Sequence, residues 1–354
     1  MKDSAVIITN GKLATLDGKT AHGLIRGSER FDVLAVIDHA HAGKDVREIV
    51  PRASKQIPIY ASMNTYLQRS HHKPDYCILG VALPGGKLPR EFIGEIQAAL
   101  ENGISVISGL HQHLSDNPVL RETAVQHQAE IIDIRKPCSA DKLHFWNGAV
   151  MGVTTPKIAV LGIDCTVGKR TTCRFILETC LKHGIQTEMI YTGQTGWLQG
   201  YKHGFILDAT PNDFVSGEIE KAIIECDRQS QPELILIEGQ SSLMNPSGPC
   251  GSEFLLSGNI KGVVLQHVPF RNYFDELESI GCQLPAIENE IALIRAYGAE
   301  TLAVTLNGTG GTSKELTEYR DQLSARLSIP ILLPLQDGLE ELIPVIQNYM
   351  GSNP

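Results

Sequence analysis

The sequence predicts an α/β protein of two domains, each a parallel β-sheet covered by helices. Three observations carry that prediction. Short apolar runs alternate with amphipathic stretches along nearly the whole chain, the pattern of strands joined by crossover helices. The alternation breaks once, over residues 135–156 (RKPCSADKLHFWNGAVMGVTTP), an irregular stretch that ends in proline. The length, 354 residues, exceeds one average domain and suffices for two with cores of their own. The first domain is placed at 1–140, a linker at 141–156 and the second domain at 157–354.

In the first half AVIITN (5–10), FDVLAVID (31–38), DYCILGV (75–81), ISVIS (104–108) and EIIDI (130–134) read as buried strands. Between them REFIGEIQAALENG (90–103) has helical spacing, with Gly103 as its stop. Asp38 ends a strand, where a dinucleotide fold keeps its ribose-binding acid. Residues 9–20 (TNGKLATLDGKT) hold no Gly-x-Gly-x-x-Gly, so a nicotinamide cofactor is disfavoured. The second half resumes with KIAVLG (157–162), TEMIYTG (187–193), ELILIEG (233–239), GVVLQH (262–267), TLAVTLN (301–307) and IPILLPL (329–335). TSKE (312–315) and DGLE (337–340) read as capping boxes that start the last helices. No internal repeat or low-complexity tract interrupts the pattern.

Composition narrows the function classes. A net charge of −9 argues against a polyanion-binding surface, so nucleic acid is not expected as a partner. A small anionic ligand depends on local charge and stays open. No apolar stretch approaches the ~20 residues of a membrane span, and MKDSAVIITN lacks the apolar region of a signal peptide. Eight scattered cysteines without Cys-x-x-Cys read as reduced, mostly buried thiols. The reading is a cytoplasmic protein with a small-molecule substrate, no membrane partner, no structural zinc and a homo-oligomeric state.

The chemistry centres on GIDCTVGKRTT (162–172), a glycine-rich loop between a predicted strand and a predicted helix from Thr171. Amides of such a turn, with the positive end of the following helix, make an anion site. Gly162 closes the strand, Gly168 lets the backbone approach a phosphate and Lys169 supplies charge. The expected ligand set is Gly162, Asp164, Cys165, Thr166, Val167, Gly168, Lys169, Arg170, Thr171 and Thr172, with Gln194 and Asn307 from later loops. The hydroxyl that normally follows the lysine and binds Mg²⁺ is replaced by Arg170. Thr171 lies about 100° further around the helix and does not simply take its place. Two readings of Arg170 are open: a fixed cation for a diphosphate held without metal, or a solvated side chain with the metal bound otherwise.

The five-residue spacing between Gly162 and Gly168, with Asp164 in third place, resembles the dethiobiotin synthetase class of P-loop proteins. LIEGQSSL (236–243), TGQTG (192–196) and TLN ending at Asn307 fall where that class keeps ligand-facing loops. On that likeness alone the chain would be an ATP- and Mg²⁺-dependent ligase or kinase. A second resemblance covers nearly the whole length. GKTAHGLIRGSERF, GVALPGGKLP, SGLHQHLSDNP, GIDCTVGKRTT, TGQTG and EGQSSL, in that order, resemble a bacterial and archaeal family first described as a domain of unknown function. Its characterised members are D-glutamate N-acetyltransferases of D-amino-acid catabolism. The resemblance implies a Rossmann-like first domain, a P-loop NTPase-like second domain and acetyl-CoA as co-substrate.

Candidate residues outside the loop follow from spacing. Lys19, His22, Arg26 and Arg30 lie at i, i+3, i+7 and i+11, one face if the segment is helical. Such a stripe would receive a dicarboxylate, and arginine suits bidentate carboxylate binding; a solvated face is the other reading. His111 and His113 share a loop after a strand, and without a third ligand a hydrogen-bonding role, assigned to His111, is preferred to a metal pair. Lys19, Arg26, Arg30 and His111 are thus the substrate-binding candidates. Acetyl transfer to an amine needs a base, and Glu238, Asp213 and His267 are the candidates; Glu238 could instead pair Lys169 or Arg170.

Overall fold

A computed structural model describes residues 2–352 of the chain. Internal contacts divide it into two units. The first runs to Cys138 and adds Gln194–Tyr201; the second comprises Ser139–Gly193 and the chain from Lys202.

The first unit is built on β1 (Asp3–Ile8), β2 (Phe31–Ile37), β3 (Ile59–Tyr60), β4 (Tyr76–Leu79), β5 (Ser105–Ser108) and β6 (Ile131–Asp133). They pair in the order β3-β2-β1-β4-β5-β6, all parallel. Successive residues of β1 serve opposite faces: Val6 and Ile8 join one core cluster, Ala5 and Ile7 the other. Helices α1 (Lys19–Arg26), α2 (Met63–Arg69), α3 (Ile93–Glu101) and α4 (Pro118–Gln126) accompany the strands. With both faces covered, the strands need no polar side, which is why they read as unbroken apolar runs. The Asp38 carboxylate receives Thr9 Oγ1 (2.6 Å), Gly11 N (2.9 Å) and Leu13 N (3.1 Å). The acid that a dinucleotide fold would offer to a ribose is committed to closing the loop after β1.

The second unit contains β7 (Lys157–Gly162), β8 (Thr187–Tyr191), β9 (His203–Gly204), β10 (Leu234–Glu238), β11 (Gly262–His267), β12 (Glu300–Leu306) and β13 (Ile331–Leu332). Their order is β13-β12-β11-β7-β10-β8-β9, again all parallel. Strand β7 lies between β11 and β10, so the loops after these three strands open side by side at the carboxyl edge, where α/β sheets bind ligands. The helices are α5 (Lys169–Lys182), α7 (Asn212–Ser230), α8 (Ser252–Leu256), α9 (Ile287–Ala296), α10 (Ser313–Arg326) and α11 (Leu342–Ser352); α6 (Gln194–Gln199) packs with the first unit.

Several expectations need correction. Strands β3 and β9, two residues each, are additions to the sequence reading. Helix α5 starts at Lys169, two residues before the expected Thr171. Thr312 and Glu315 form the expected capping box on α10, but DGLE starts no helix: Gly338 takes φ 82°, Arg320 reaches Asp337, and α11 begins only at Leu342. Residues 141–156 are not a free linker. They strap across α7, whose Glu218 receives His144 N (2.8 Å) and whose Glu220 receives Asn147 N (2.8 Å) and Val150 N (3.1 Å). Gly217 lies so close under this strap that a Cβ there would come within 1.9 Å of the His144 carbonyl oxygen. Among the described residues no helix is long and apolar enough to cross a membrane.

Candidate functional site: a braced phosphate loop

Strand β7 is buried along its length and ends at Gly162, where only a hydrogen fits. A Cβ there would lie 2.7 Å from Val167 Cγ2 and 3.1 Å from the Lys169 stem. Thr166 (φ 54°) and Gly168 (φ 107°) take left-handed conformations, turning the chain into α5 through Gly168 as N-cap. Mixed right- and left-handed turns of this kind gather amides into an anion-binding concavity, and the first turn of the helix adds donors without intrahelical acceptors. Lys169 is buried, and its ammonium donates to Asp164 O (2.6 Å) and Ser241 O (2.8 Å). Burial lowers its pKa from the usual lysine range, with nearby acidic groups opposing.

Much of the loop's own polarity is spent on holding its shape. Fully buried Asp164 accepts from Cys165 N (2.7 Å), Asn245 Nδ2 (3.0 Å), Arg271 Nη1 (2.9 Å) and Asp275 N (2.7 Å). Arg271 also donates to Cys165 O (2.9 Å) and Thr166 Oγ1 (3.2 Å), and Thr166 Oγ1 donates to Asp275 (2.6 Å). Asn307 Nδ2 donates to Val167 O (2.9 Å). Thr172 donates to Gln266, which also receives Thr305 Oγ1 (2.8 Å). Half-buried Cys165 has Ser241 Oγ at 3.6 Å from its sulfur. Thr171 and Arg170 are half-buried on the first turn.

Glu238 ends β10 and is 6% exposed; Thr192 N donates to it at 3.2 Å. Burial pushes its carboxyl above the ordinary range, and the positive charges of Arg170 and Lys169 hold it back. His267 ends β11, with Nε2 hydrogen-bonded to Tyr319 Oη (2.7 Å) and a pKa lowered to about 4 by burial and by Arg326. Glu290 of α9 receives Met244 N (3.4 Å), and burial raises its pKa to about 7.

The structure therefore gathers the loop residues 162–172, Asn307, Glu238 and His267 at the carboxyl edge of one sheet. It does not gather Asp213, exposed on the first turn of α7 and without a hydrogen bond or ion pair to the loop among the described residues; Gln194 belongs to the first unit, where it packs against Gly109. Nor do Lys19, His22, Arg26 and Arg30 form one stripe. Helix α1 ends at Arg26 because Gly27 takes φ 147°, and Arg30 lies beyond it with its guanidinium 3.9 Å from the Trp197 ring centre. Arg26 Nε donates to Pro51 O (3.1 Å) and His22 bonds Leu13 O (2.6 Å), while Lys19 is exposed. His111 is exposed on the loop after β5, against Gly86. Sequence reasoning named Ser241 only within the ligand-facing LIEGQSSL stretch, and missed Asn245, Arg271 and Asp275. The only signal for the last two was their position, four apart, just after a strand expected to end at the ligand edge.

Two family models match the chain. One, described as a domain of unknown function (DUF1611_C), P-loop domain, matches residues 144–343. The other, the DUF1611_N Rossmann-like domain, matches residues 39–137. The chain belongs to the DUF1611 family. Its two parallel sheets are thus the Rossmann-like and P-loop domains of that family, as expected. The chain is 28% identical over 273 residues to a Pseudoalteromonas protein named D-glutamate N-acetyltransferase, covering 75% of this chain and 79% of that one. A protein of the same name from Tritonibacter scottomollicae is 28% identical over 276 residues, covering 76% and 80%. The crystal structure of a DUF1611 family protein from Anabaena variabilis shares the fold, with a TM-score of 0.88, 24% identity and coverage of 98% of this chain and 100% of that one.

Proposed function

We propose that this protein is an N-acetyltransferase that moves the acetyl group of acetyl-CoA to the amino group of D-glutamate, in cytoplasmic D-amino-acid catabolism. The two relatives named for that activity support it, but the observation that carries it is Arg170. Where a nucleotide-cleaving loop needs a hydroxyl for Mg²⁺, this loop carries a fixed cation, whose charge also steadies the buried carboxylate of Glu238. A fixed cation at that position suits a diphosphate that is held and not cleaved. The amides of the 162–168 turn, the first turn of α5, Lys169 and Arg170 suit the phosphates of a coenzyme.

When bound, acetyl-CoA supplies the acetyl group as a thioester. Transfer forms the amide C–N bond as the C–S bond breaks; the acceptor's ammonium gives up two protons, one ending on the thiol and one in solvent. The protein's part is to hold the phosphates, orient the amine and take up a proton.

Calorimetric titration of the whole chain with acetyl-CoA and with ATP, each in EDTA and in Mg²⁺, tests the reading. Acetyl-CoA is expected to bind equally in both buffers, and Arg170→Thr to weaken it about tenfold or more, the usual loss for a charged hydrogen bond. Tight, Mg²⁺-dependent ATP binding with weak acetyl-CoA binding would favour the ligase or kinase instead.

A further inference from the structure

Beside the phosphate loop the second unit holds a cavity of about 490 Å³. It opens next to Ile163, the residue after β7, and its wall includes His267, Arg271, Asn272, Tyr319, Arg326 and Glu288. His267 is 6% exposed, and its Nδ1 has no hydrogen-bond partner. A buried polar atom left unpaired costs free energy, so a ligand that pairs it gains affinity.

The polarity of that atom is set by the Tyr319 hydroxyl, 2.7 Å from His267 Nε2: where that hydroxyl donates, the proton of the neutral imidazole sits on Nδ1, the tautomer this site requires. Burial and Arg326 keep the ring neutral, with a pKa of about 4. In that tautomer the cavity wall carries a buried N–H, the Arg326 guanidinium and the Asn272 amide, with one carboxylate at the rim. That carboxylate, Glu288, lies 3.3 Å from Arg326, and both are more than a third exposed.

We propose that this cavity is the acceptor site, binding an α-amino dicarboxylate with a carboxylate on His267 Nδ1 and Arg326 and the ammonium toward Glu288. The proposal rests on the acetyltransferase reading for its substrate, and it places the acceptor in the second unit rather than on Lys19, Arg26 and Arg30. A site here lies at the same sheet edge as the phosphate loop, since β11 pairs directly with β7.

The test uses the whole protein with D-glutamate, glutarate and inorganic phosphate as probes, by calorimetry, on wild type, Arg326→Met and His267→Leu. Arg326 sits at the rim, so its variant folds even where the buried one does not. D-glutamate and glutarate are expected to bind wild type, and each substitution to weaken both about tenfold or more with the acetyl-CoA Kd unchanged. His267→Leu removes the unpaired nitrogen but also the partner of the Tyr319 hydroxyl, so the Tm of each variant is read alongside to establish that it is folded. Unchanged carboxylate binding in folded variants, or a loss of phosphate and acetyl-CoA binding instead, overturns the site, as does wild type that binds neither carboxylate. The two proposals fail separately. Cavity-dependent D-glutamate binding without N-acetylated product would end the transferase reading and leave the site. Product formation with an unaltered D-glutamate KM in both variants would end the site and leave the reading.

Discussion

Arg271→Met removes the cation that answers a carboxylate with no exposure at all. In the native loop Asp164 and Arg271 are 2.9 Å apart, with side-chain exposures of 0% and 19%. Breaking a buried pair from one side usually costs about 3–5 kcal/mol. Three neutral donors, Cys165 N, Asn245 Nδ2 and Asp275 N, remain on Asp164, so the low end, about 3 kcal/mol, is expected. The methionine keeps much of the stem's packing volume, which isolates the charge. For a unit of this size the loss corresponds to roughly 6–12 °C in its transition. The double variant Asp164→Asn/Arg271→Met removes the buried charge and should recover part of that loss, the remainder being the donor that the new amide sets against Cys165 N or Asp275 N. Calorimetric unfolding of wild type, both singles and the double gives the coupling directly. A cost below about 1 kcal/mol for the single variant, or a double no more stable than Arg271→Met, would refute the view that this ion pair holds the loop.

Two further outcomes follow from the same geometry. Gly162→Ala puts a methyl 2.7 Å from Val167 and 3.1 Å from Lys169; acetyl-CoA affinity should fall at least tenfold while the first unit unfolds as in wild type, and unchanged binding would mean the loop yields freely. Glu290, with a folded pKa of about 7 against an ordinary 4.5, keeps its proton in the folded state where the unfolded chain has lost it. Its contribution therefore erodes stability as pH rises from about 4.5 to about 7, by up to about 3 kcal/mol. His267, lowered to about 4, gives the opposite slope between its two pKa values, so the quantity to read is the difference between wild type and Glu290→Gln. That difference should be small at pH 4.5 and favour Gln by pH 8; parallel profiles would contradict it.

The sequence carried the fold because its strands are covered on both faces. KIAVLG and GVVLQH read as strands for the same reason that β7 and β11 are buried. Strands β3 and β9 stayed invisible because neither lies in an apolar run as long as IPILLPL (329–335), which holds β13, just as short and also at a sheet edge. The strap at 141–156 was read as a linker because its order comes from Glu218 and Glu220 accepting backbone amides, which has no period in sequence. The phosphate loop was legible from its glycines and Lys169, whereas its brace was not: Asn245 and Arg271 reach Asp164 from 81 and 107 residues away. The basic stripe failed for a local reason, since helical spacing was carried past Gly27, where the helix ends.

The account's central claim is acetyl transfer from a coenzyme held without metal. The direct measurement is mass-spectrometric detection of product after incubating EDTA-stripped protein with acetyl-CoA and D-glutamate, alongside parallel samples with Mg²⁺ and ATP. The account predicts N-acetyl-D-glutamate and free thiol in equal amounts, at the same rate with and without Mg²⁺, and abolished by Lys169→Ala. Product that appears only with ATP and Mg²⁺, with ADP released in step, would contradict it.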